Sequence, residues 1–296
     1  MTQLFKRHSF ALFLCIGIFI AACNDEAKTN NDADTTAATV DPAKDWKFGA
    51  ALWTFHTVNF PESLNKVDSA GLKYIEPNTF HSAGPELKDS MILQLSPAGI
   101  EKLRAMIAAK GLTCESIYIM GDSTIDSWKK QFDIARQLGV EFVTTEPPLN
   151  MWDDLDSLAW AYRIKIAIHE HWKGVSHYWD TDTTLMAIKD HSNFYVCADL
   201  GHWPKSGVNP LDAIKKLSGH IIGIHLKDIA AYNDPSLKDV PVGTGVVDFP
   251  AIFEELKKQG FKGHIYIERD AEDQPSNLPS VIQTVKYYNA QISKLK

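Results

Sequence analysis

Short apolar runs alternate with amphipathic stretches from Lys47 to the C-terminus, and this alternation constrains the fold more than any other feature. Continuous apolar runs of this length are typical of strands buried on both faces, as in parallel sheets. The predicted strands are Phe48–Phe55, Leu72–Pro77, Leu112–Met120, Glu141–Glu146, Ile164–His169, Phe194–Asp199, Ile221–Leu226 and His264–Glu268. Eight strand and helix pairs over about 250 residues predict an α/β fold of the (β/α)₈ TIM barrel type. A doubly wound open sheet is the alternative, but no Gly-x-Gly-x-x-Gly follows the first strand.

Helix boundary residues support the same pattern. Ser96 is placed to cap a helix whose first residue is Pro97, and Asn209 precedes Pro210 in the same way. Proline is favoured at the first helical position because its missing N–H has no partner to lose there. The last predicted helix is amphipathic and runs from Pro279 to about residue 295. These residues locate helix starts independently of the apolar pattern.

Carboxylate or imidazole side chains end four of the predicted strands. Glu146, Asp199 and Glu268 supply carboxylates, and His225 supplies an imidazole. The carboxyl ends of all strands meet on one face of a barrel, so these four residues can come within coordination distance. Taken singly, such a residue is more often an ion-pair partner or a loop contact. Together they predict a site for one divalent ion, Mn²⁺ first and Mg²⁺, Co²⁺ or Zn²⁺ as alternatives, since no cysteine accompanies them.

Five segments, in chain order, resemble the xylose isomerase-like barrel superfamily. They are Thr144-Thr-Glu146-Pro, Asp199-Leu-Gly-His202, His225-Leu-Lys-Asp228, Val242-Gly-Thr-Gly-Val-Val-Asp-Phe249 and Ile265-Tyr-Ile-Glu268. More narrowly, the chain is similar to the sugar phosphate isomerase/epimerase branch, which includes ketose 3-epimerases and inosose dehydratases. The resemblance extends from about Lys47 to the C-terminus and depends on the combination of the segments.

The resemblance implies a ligand set and a chemistry. Its implied metal ligands are Glu146, Asp199, His225 and Glu268. His202 would contact the substrate, and the two glutamates would also move protons. Removing a hydrogen next to a carbonyl needs a base and a stabiliser for the enediolate, and a metal ion supplies the second. A carboxylate on each face of the carbon would allow removal from one side and return from the other, which is the reaction of an epimerase.

Aromatic and imidazole side chains after two strands are candidates for substrate binding. The segment His169-Glu-His171 ends the fifth predicted strand, and we assign His171 to the substrate, with a solvated turn or a core histidine as the plainer interpretation. Trp53 and His56 end the first predicted strand. Aromatic side chains there either stack on a sugar face or plug the barrel mouth.

Glu76, Lys227 and a glycine-containing loop complete the candidates. Glu76 ends the second predicted strand and either contacts the substrate or forms an ion pair. Lys227 lies two residues after a predicted ligand, so both should face inward, where Lys227 holds a substrate hydroxyl or pairs with a carboxylate. Gly243-Thr-Gly245 lies after the seventh predicted strand, where barrels often hold phosphate. Turn geometry explains those glycines equally well.

The superfamily also contains three-zinc endonucleases that cut at abasic sites, and this chain departs from their pattern. Those enzymes add a histidine at the end of strand three and an Asp-x-His after strand seven. Here strand three ends Tyr118-Ile-Met-Gly121, and the later loop carries Asp239-Val-Pro. Removal of residues 1–22 takes away Lys6 and Arg7 and changes the formal net charge from −7 to −9. This acidic balance argues against a nucleic-acid partner.

The first 22 residues have the features of an export signal. Lys6 and Arg7 precede an apolar run from Phe10 to Ile20, which is too short to span a bilayer stably. Small residues then lead directly into Cys23, which indicates a bacterial lipoprotein signal with Cys23 as the lipidated first residue. An uncleaved anchor and an ordinary signal peptide are the alternatives.

The domain organisation follows from this signal. Residues 23–45 contain the lipidated cysteine and a segment rich in Asn, Asp, Thr and Ala that predicts a disordered tether. Residues 46–296 form the predicted barrel as a single domain. The protein is expected to be exported and anchored to a bacterial membrane, in the periplasm or on the cell surface, through its lipid alone. Its oligomeric state does not follow from the sequence.

Cys114 and Cys197 are the cysteines that remain after the signal and the lipidated residue. Both fall inside predicted strands, so we interpret them as small buried apolar side chains, with a disulfide as the alternative.

Together these features predict a divalent-metal-dependent sugar isomerase or epimerase that removes a proton next to a carbonyl through an enediolate. The first alternative is a lyase of the same fold that eliminates from a 3-keto-glycoside or a keto-polyol. The second is a carbohydrate-binding lipoprotein without catalysis. An exported location favours free sugars or glycosides as the small-molecule substrate, because sugar phosphates are mainly cytoplasmic.

Overall fold

The computed structural model describes residues 43–295. The strands are β1 (Lys47–Ala51), β2 (Tyr74–Glu76), β3 (Thr113–Cys114), β4 (Ser116–Tyr118), β5 (Phe142–Thr145), β6 (Lys165–Ile168), β7 (Phe194–Asp199), β8 (Ile221–Leu226), β9 (Asp228–Ile229), β10 (Asp239–Val240) and β11 (His264–Ile267). The α-helices are α1 (Phe60–Ser69), α2 (Pro97–Ala109), α3 (Ile125–Leu138), α4 (Trp152–Tyr162), α5 (Thr181–Lys189), α6 (His202–Lys205), α7 (Pro210–Lys216), α8 (Phe249–Lys258) and α9 (Leu278–Ile292). The predicted signal peptide, Cys23 and most of the predicted tether lie outside the described residues.

Within residues 43–295, nine strands form one parallel sheet that closes into a barrel, which confirms the predicted (β/α)₈ fold. The strand order is β3, β2, β1, β11, β8, β7, β6, β5 and β4. β3 and β4 are two pieces of the third predicted strand, and β3 pairs with β2 while β4 pairs with β5. The N–H of Tyr118 donates to the carbonyl of Pro77 at 2.8 Å, and the N–H of Thr79 donates to Tyr118 at 3.0 Å. These bonds close the ring.

Helix caps follow the predicted residues. The side chain of Ser96 accepts from the N–H of Gly99 before α2, and the side chain of Asn209 accepts from Leu211 before α7. Both helices carry proline in the first turn. Each cap satisfies an N–H that has no partner inside its helix, so the short helices begin where the sequence requires.

The barrel interior is filled in layers. An apolar layer consists of Ala51, Phe142, Ala167, Cys197 and Tyr266. Successive side chains on a strand point to opposite faces, so a residue two positions later points the same way. A polar layer therefore lies next to the apolar one, and the residues two positions after Phe142, Ala167, Cys197 and Tyr266 are Thr144, His169, Asp199 and Glu268. The alternation of side chains along each strand thus places polar groups at the carboxyl end of the barrel, directly above a packed apolar layer.

The two cysteines in the described chain are free. Cys197 is fully buried, and burial raises the pKa of its thiol to about 12. The interpretation as a small buried apolar side chain is confirmed for Cys197, whereas Cys114 is only half-buried, and the alternative of a disulfide is wrong because both thiols are free. Within residues 43–295, no helix combines the length and the hydropathy needed to cross a membrane.

An ion-pair cluster at the amino end of the barrel explains the break between β3 and β4. Glu115 lies at the break, and its Oε2 is 2.5 Å from Nζ of Lys47 and 2.8 Å from Nε2 of His264. Burial alone would raise the pKa of Glu115, but its hydrogen bonds with Lys47 and His264 lower it. The carboxylate therefore links the third predicted strand to the first and the last.

We predict that Glu115→Gln lowers the free energy of unfolding by about 1 kcal/mol at neutral pH, because it removes charge-assisted hydrogen bonds. A carboxyl group whose pKa is lowered by folding stabilises the protein above its unfolded-state pKa. The difference between wild type and variant should therefore shrink as the pH falls below about 4. Urea unfolding at several pH values measures this difference in the free energy of unfolding.

Glu101→Gln is the control, because Glu101 is exposed and, among residues 43–295, forms an ion pair only with Arg104 on the same helix. A difference between wild type and Glu115→Gln that stays constant with pH would contradict the assignment.

Candidate functional site

Four buried side chains converge at the carboxyl ends of β6, β7, β8 and β11. One ligand atom from each of His169, Asp199, His225 and Glu268 lies within 4.8 Å of the others. His169 Nε2 is 3.6 Å from Asp199 Oδ2, which is 3.9 Å from His225 Nδ1. His225 Nδ1 also contacts Oε2 of Glu268. None of the four residues is more than 7 % exposed.

The four converging atoms form no well-oriented hydrogen bond within the described chain. They are His169 Nε2, Asp199 Oδ2, His225 Nδ1 and Glu268 Oε2, and their close neighbours are one another and the ammonium of Lys227. Buried polar atoms nearly always form hydrogen bonds, so four such atoms crowded at one point need an explanation. Two imidazole nitrogens and two carboxylate oxygens are a donor set that Mn²⁺, Zn²⁺ or Co²⁺ accepts. These residues therefore fit a divalent cation.

This cluster differs from the predicted ligand set in one member. Asp199, His225 and Glu268 are present together with His169, while Glu146 belongs with His169 and His171 to a second, overlapping group that could also hold a metal ion. Glu146 is directed instead toward two histidines: its Oε1 lies 3.3 Å from Nδ1 of His169 and 2.5 Å from Nδ1 of His171. Glu146 therefore contacts Nδ1 of His169, the ring nitrogen opposite to the Nε2 that faces the cluster.

The contacts of Glu146 define its charge. Burial alone would raise the pKa of the Glu146 carboxyl, but the hydrogen bonds and charges of His169 and His171 hold it well below its usual range. Glu146 is thus a carboxylate that accepts from both imidazoles. Nε2 of His171 has no hydrogen-bond partner among the described residues, and the His171 ring lines the main cavity.

Glu76 orients His225 rather than facing solvent. Oε1 of Glu76 lies 2.7 Å from Nε2 of His225, and the hydroxyl of Thr144 donates to Oε2 of Glu76 at 2.6 Å. Burial would lower the pKa of His225, but the charges of Glu268 and Glu76 raise it well above the ordinary value. A cation must displace the Nδ1 proton of His225 in order to bind, so binding releases a proton.

Lys227 balances the charge of the buried carboxylates. Its Nζ lies 3.0 Å from Oδ2 of Asp199, 3.0 Å from Oδ2 of Asp270 and 3.9 Å from Oε2 of Glu268. Burial would lower the pKa of Lys227, but Asp199 and Asp270 raise it well above its usual range. Lys227 is therefore an ammonium. It also lies 3.1 Å from Nε2 of His202, and burial keeps the pKa of His202 low, so His202 accepts as a neutral imidazole.

A cavity of about 520 Å³ opens above the cluster. Three of the predicted substrate-binding residues line it, namely Trp53, Glu76 and His171. The other three, His56, His202 and Lys227, are absent from its lining. His202 and Lys227 are each 1 % exposed and bond to each other beneath the surface. His56 stacks on Trp53 from outside and pairs with Glu272.

The loop after β10 uses its glycines to hold a carboxylate of the protein itself. Oδ2 of Asp228 accepts the N–H groups of Gly243 at 3.0 Å and Gly245 at 2.8 Å. A Cβ at Gly245 would lie 2.2 Å from the carbonyl oxygen of Ile229, so only glycine fits there. The backbone donors that a phosphate would need at this loop are therefore occupied by Asp228.

Sequence reasoning gave His169 no role as a ligand and did not consider Asp270. A signal existed for each residue. His169 follows Ala167 by two positions, just as Asp199 follows Cys197, and Asp270 follows Glu268 by two. The same alternation therefore places all of them on the inner face.

A TIM barrel with a buried His, Asp and Glu cluster at its carboxyl end defines the class of protein. The family described as Xylose isomerase-like TIM barrel matches residues 64–289, and the chain belongs to this family. The crystal structure of an uncharacterised protein from Parabacteroides distasonis is similar, with a TM-score of 0.67, 32% identity and coverage of 83% of this chain and 99% of that one.

Two curated relatives are enzymes that act on small sugar-like molecules. An inosose dehydratase of Clostridium botulinum is 33% identical over 143 residues, which are 43% of this chain and 47% of that protein. An L-ribulose-5-phosphate 3-epimerase of Shigella flexneri is 36% identical over 77 residues, 26% of each chain. The chain spans half the length or less of these curated relatives.

We predict that Glu76→Gln weakens Mn²⁺ binding by about tenfold, because loss of the carboxylate leaves His225 less basic and less well oriented. Isothermal titration calorimetry measures the affinity. Glu272→Gln is the matched control, since Glu272 pairs with His56 in an exposed version of the same contact. Equal Mn²⁺ affinity for Glu76→Gln and wild type would contradict the positioning role of Glu76.

Proposed function

We propose that the protein is a divalent-metal-dependent sugar isomerase or epimerase that removes a proton from the carbon next to a carbonyl. The observation that carries this proposal is the convergence of four ligand atoms of His169, Asp199, His225 and Glu268, none of which forms a well-oriented hydrogen bond, beneath an open cavity. Membership in a family whose relatives include a sugar epimerase and a dehydratase supports the same class of reaction.

The four clustered residues would hold the cation, which supplies positive charge that stabilises the negative charge formed on a substrate oxygen. The chain's own groups would move the proton. Glu146 accepts from Nδ1 of His171, which leaves the Nε2 lone pair free to act as a base at the cavity wall. The tautomer of His171 is assigned from this contact, which places the ring proton on Nδ1. Glu268 also lines the cavity and is the second proton-transfer group.

The substrate is proposed to be a free sugar or a glycoside. Asp228 occupies the amides of the glycine loop, and no arginine is found in the cavity lining within the described chain. Phe80, Trp53 and Trp172 contribute aromatic walls, which suit the apolar faces of sugar rings. The volume of about 520 Å³ lies in the range of small-molecule sites.

A lyase is the second candidate, and the similarity to an inosose dehydratase favours it. The same proton removal next to a carbonyl leads to elimination when a leaving group stands on the adjacent carbon. The two reactions therefore share the base and the cation and differ in the substrate.

We predict that the Mn²⁺-loaded protein exchanges deuterium into the carbon next to the carbonyl of a ketose or a 3-keto-glycoside in D₂O. Proton NMR follows the exchange across a panel of free ketoses, aldoses and 3-keto-glycosides, and the product distinguishes isomerase from lyase. Chelation should abolish the exchange. Sugar binding that chelator leaves unchanged, without exchange in any panel member, would contradict the proposal and favour a carbohydrate-binding lipoprotein.

We predict that substitutions of Glu146 and Glu268, measured in the same assay, distinguish the roles of these two residues. Glu146→Gln should lower kcat by about 10²-fold or more and weaken Mn²⁺ binding by only about tenfold, because Glu146 contacts both His171 and the clustered His169. Glu268→Gln should lose both turnover and Mn²⁺ affinity. Glu141→Gln, at the opposite end of the barrel near Lys47, is the control. Near-normal turnover in both active-site variants would contradict the proton-transfer assignment.

We also propose that the mature protein begins at a lipidated Cys23 and is anchored outside the cytoplasm of a bacterium. The supporting observation is the charged, apolar and small-residue pattern of residues 1–22. Cys23→Ser should release the protein from the detergent phase in Triton X-114 partition, and mass spectrometry of its N-terminus should lack the lipid. Cys15→Ser is the control, because that residue would leave with the signal. Membrane retention of Cys23→Ser would refute the lipid anchor.

A further inference from the structure

Lys205, the last residue of α6, is a buried cation without an acidic partner. It is 6 % exposed, and its Nζ lies 4.4 Å from the centroid of the Trp172 ring. No carboxylate of residues 43–295 comes within ion-pair distance of this ammonium, and no hydrogen bond is formed by it there. A buried charge without a partner is costly, and contact with an aromatic face offsets only part of that cost.

The ammonium of Lys205 faces the substrate cavity. Lys205 and Trp172 both line it, on the same wall as His171. Among the acidic groups of the lining, the charge of Asp270 acts most strongly on Lys205, but Asp270 is already engaged by Lys227 at 3.0 Å and by the indole N–H of Trp53 at 3.0 Å. Asp270 is therefore committed to other donors, and Lys205 remains available to a ligand.

The electrostatic surroundings favour an incoming anion. Burial lowers the pKa of Lys205, and the charge of Asp270 raises it only in part, while Lys227 lowers it further. A negative group on a ligand would offset the burial of this ammonium, and the charge-assisted hydrogen bond would contribute binding energy.

We propose that Lys205 binds a carboxylate of the substrate, so that the preferred substrates are keto-uronic acids or their glycosides rather than neutral sugars. This inference rests on the proposed function, because it assigns the substrate class of the same cavity. A carboxylate fits better than a phosphate, since one buried ammonium matches one negative charge. The other lysine in the lining, Lys238, is exposed.

The test compares ketoses that differ only at C6. Full-length Mn²⁺-loaded protein in detergent is titrated by calorimetry with D-fructuronate, D-fructose and D-fructose 6-phosphate, and with D-tagaturonate and D-tagatose. We expect at least one acid to bind about tenfold or more tightly than its neutral partner, as one charge-assisted hydrogen bond provides. Lys205→Met should remove that preference by weakening the binding of the acid about tenfold more than the binding of the neutral ketose.

Lys173→Met is the matched control, because Lys173 lies 4.9 Å above the Trp179 ring and is exposed outside the cavity. Circular dichroism checks that Lys205→Met is folded, and Lys205→Gln repeats the measurement with a polar side chain. Equal affinity for acid and neutral ketose, no binding of either acid, or equal weakening of both by Lys205→Met would overturn the inference. Tighter binding of the 6-phosphate would overturn the carboxylate assignment.

Deuterium exchange in the same samples separates this inference from the proposed function. Selective binding of an acid that depends on Lys205, without exchange in any sugar, would support the inference and contradict the proposed chemistry. Exchange in neutral and acidic ketoses alike, with no effect of Lys205→Met, would support the chemistry and overturn the role of Lys205.

Discussion

Two carboxylates buried at the carboxyl end of the barrel, those of Asp199 and Glu268, determine the arrangement of the groups around them. Asp199 is fully buried and Glu268 is 7 % exposed, so both charges must be balanced inside the protein. Lys227 and His225 supply positive charge, and they hold the pKa of Glu268 at about 2 although burial alone would raise it. The carboxylates are thus ionised, close together and incompletely hydrogen-bonded. These are the conditions under which a divalent cation binds.

The alternation of side chains along parallel strands connects this electrostatic constraint to the fold. An apolar layer that includes Cys197 and Tyr266 fills the barrel, and the residues two positions later carry the polar groups. Two further carboxylates orient the imidazoles of the cluster. Glu76 contacts His225, and Glu146 contacts His169. Rigid strands thus hold the donors, while the loop between β9 and β10 and the aromatic side chains shape the cavity above them.

The repeating pattern was predictable because it depends on local sequence. The seventh predicted strand, Ile221–Leu226, has its expected bounds, and the caps at Ser96 and Asn209 form as expected. Features that depend on contacts between residues far apart in the sequence were not predictable in this way. The third predicted strand breaks at Glu115, whose partners lie 68 and 149 residues away. The first predicted strand is shorter than expected, because Leu52–Phe55 forms a 3₁₀ helix. Likewise, Glu146 and His169 both follow strands, and only the packing of neighbouring strands determines which of them joins the cluster.

The proposed chemistry depends on one divalent cation held by His169, Asp199, His225 and Glu268. Anomalous diffraction at the manganese edge, from crystals grown with MnCl₂, would locate this cation. We expect one strong peak, within about 2.0–2.3 Å of one atom from each of the four side chains. A peak between Glu146 and His171 with none at the four-residue cluster, or no peak at either place, would contradict it.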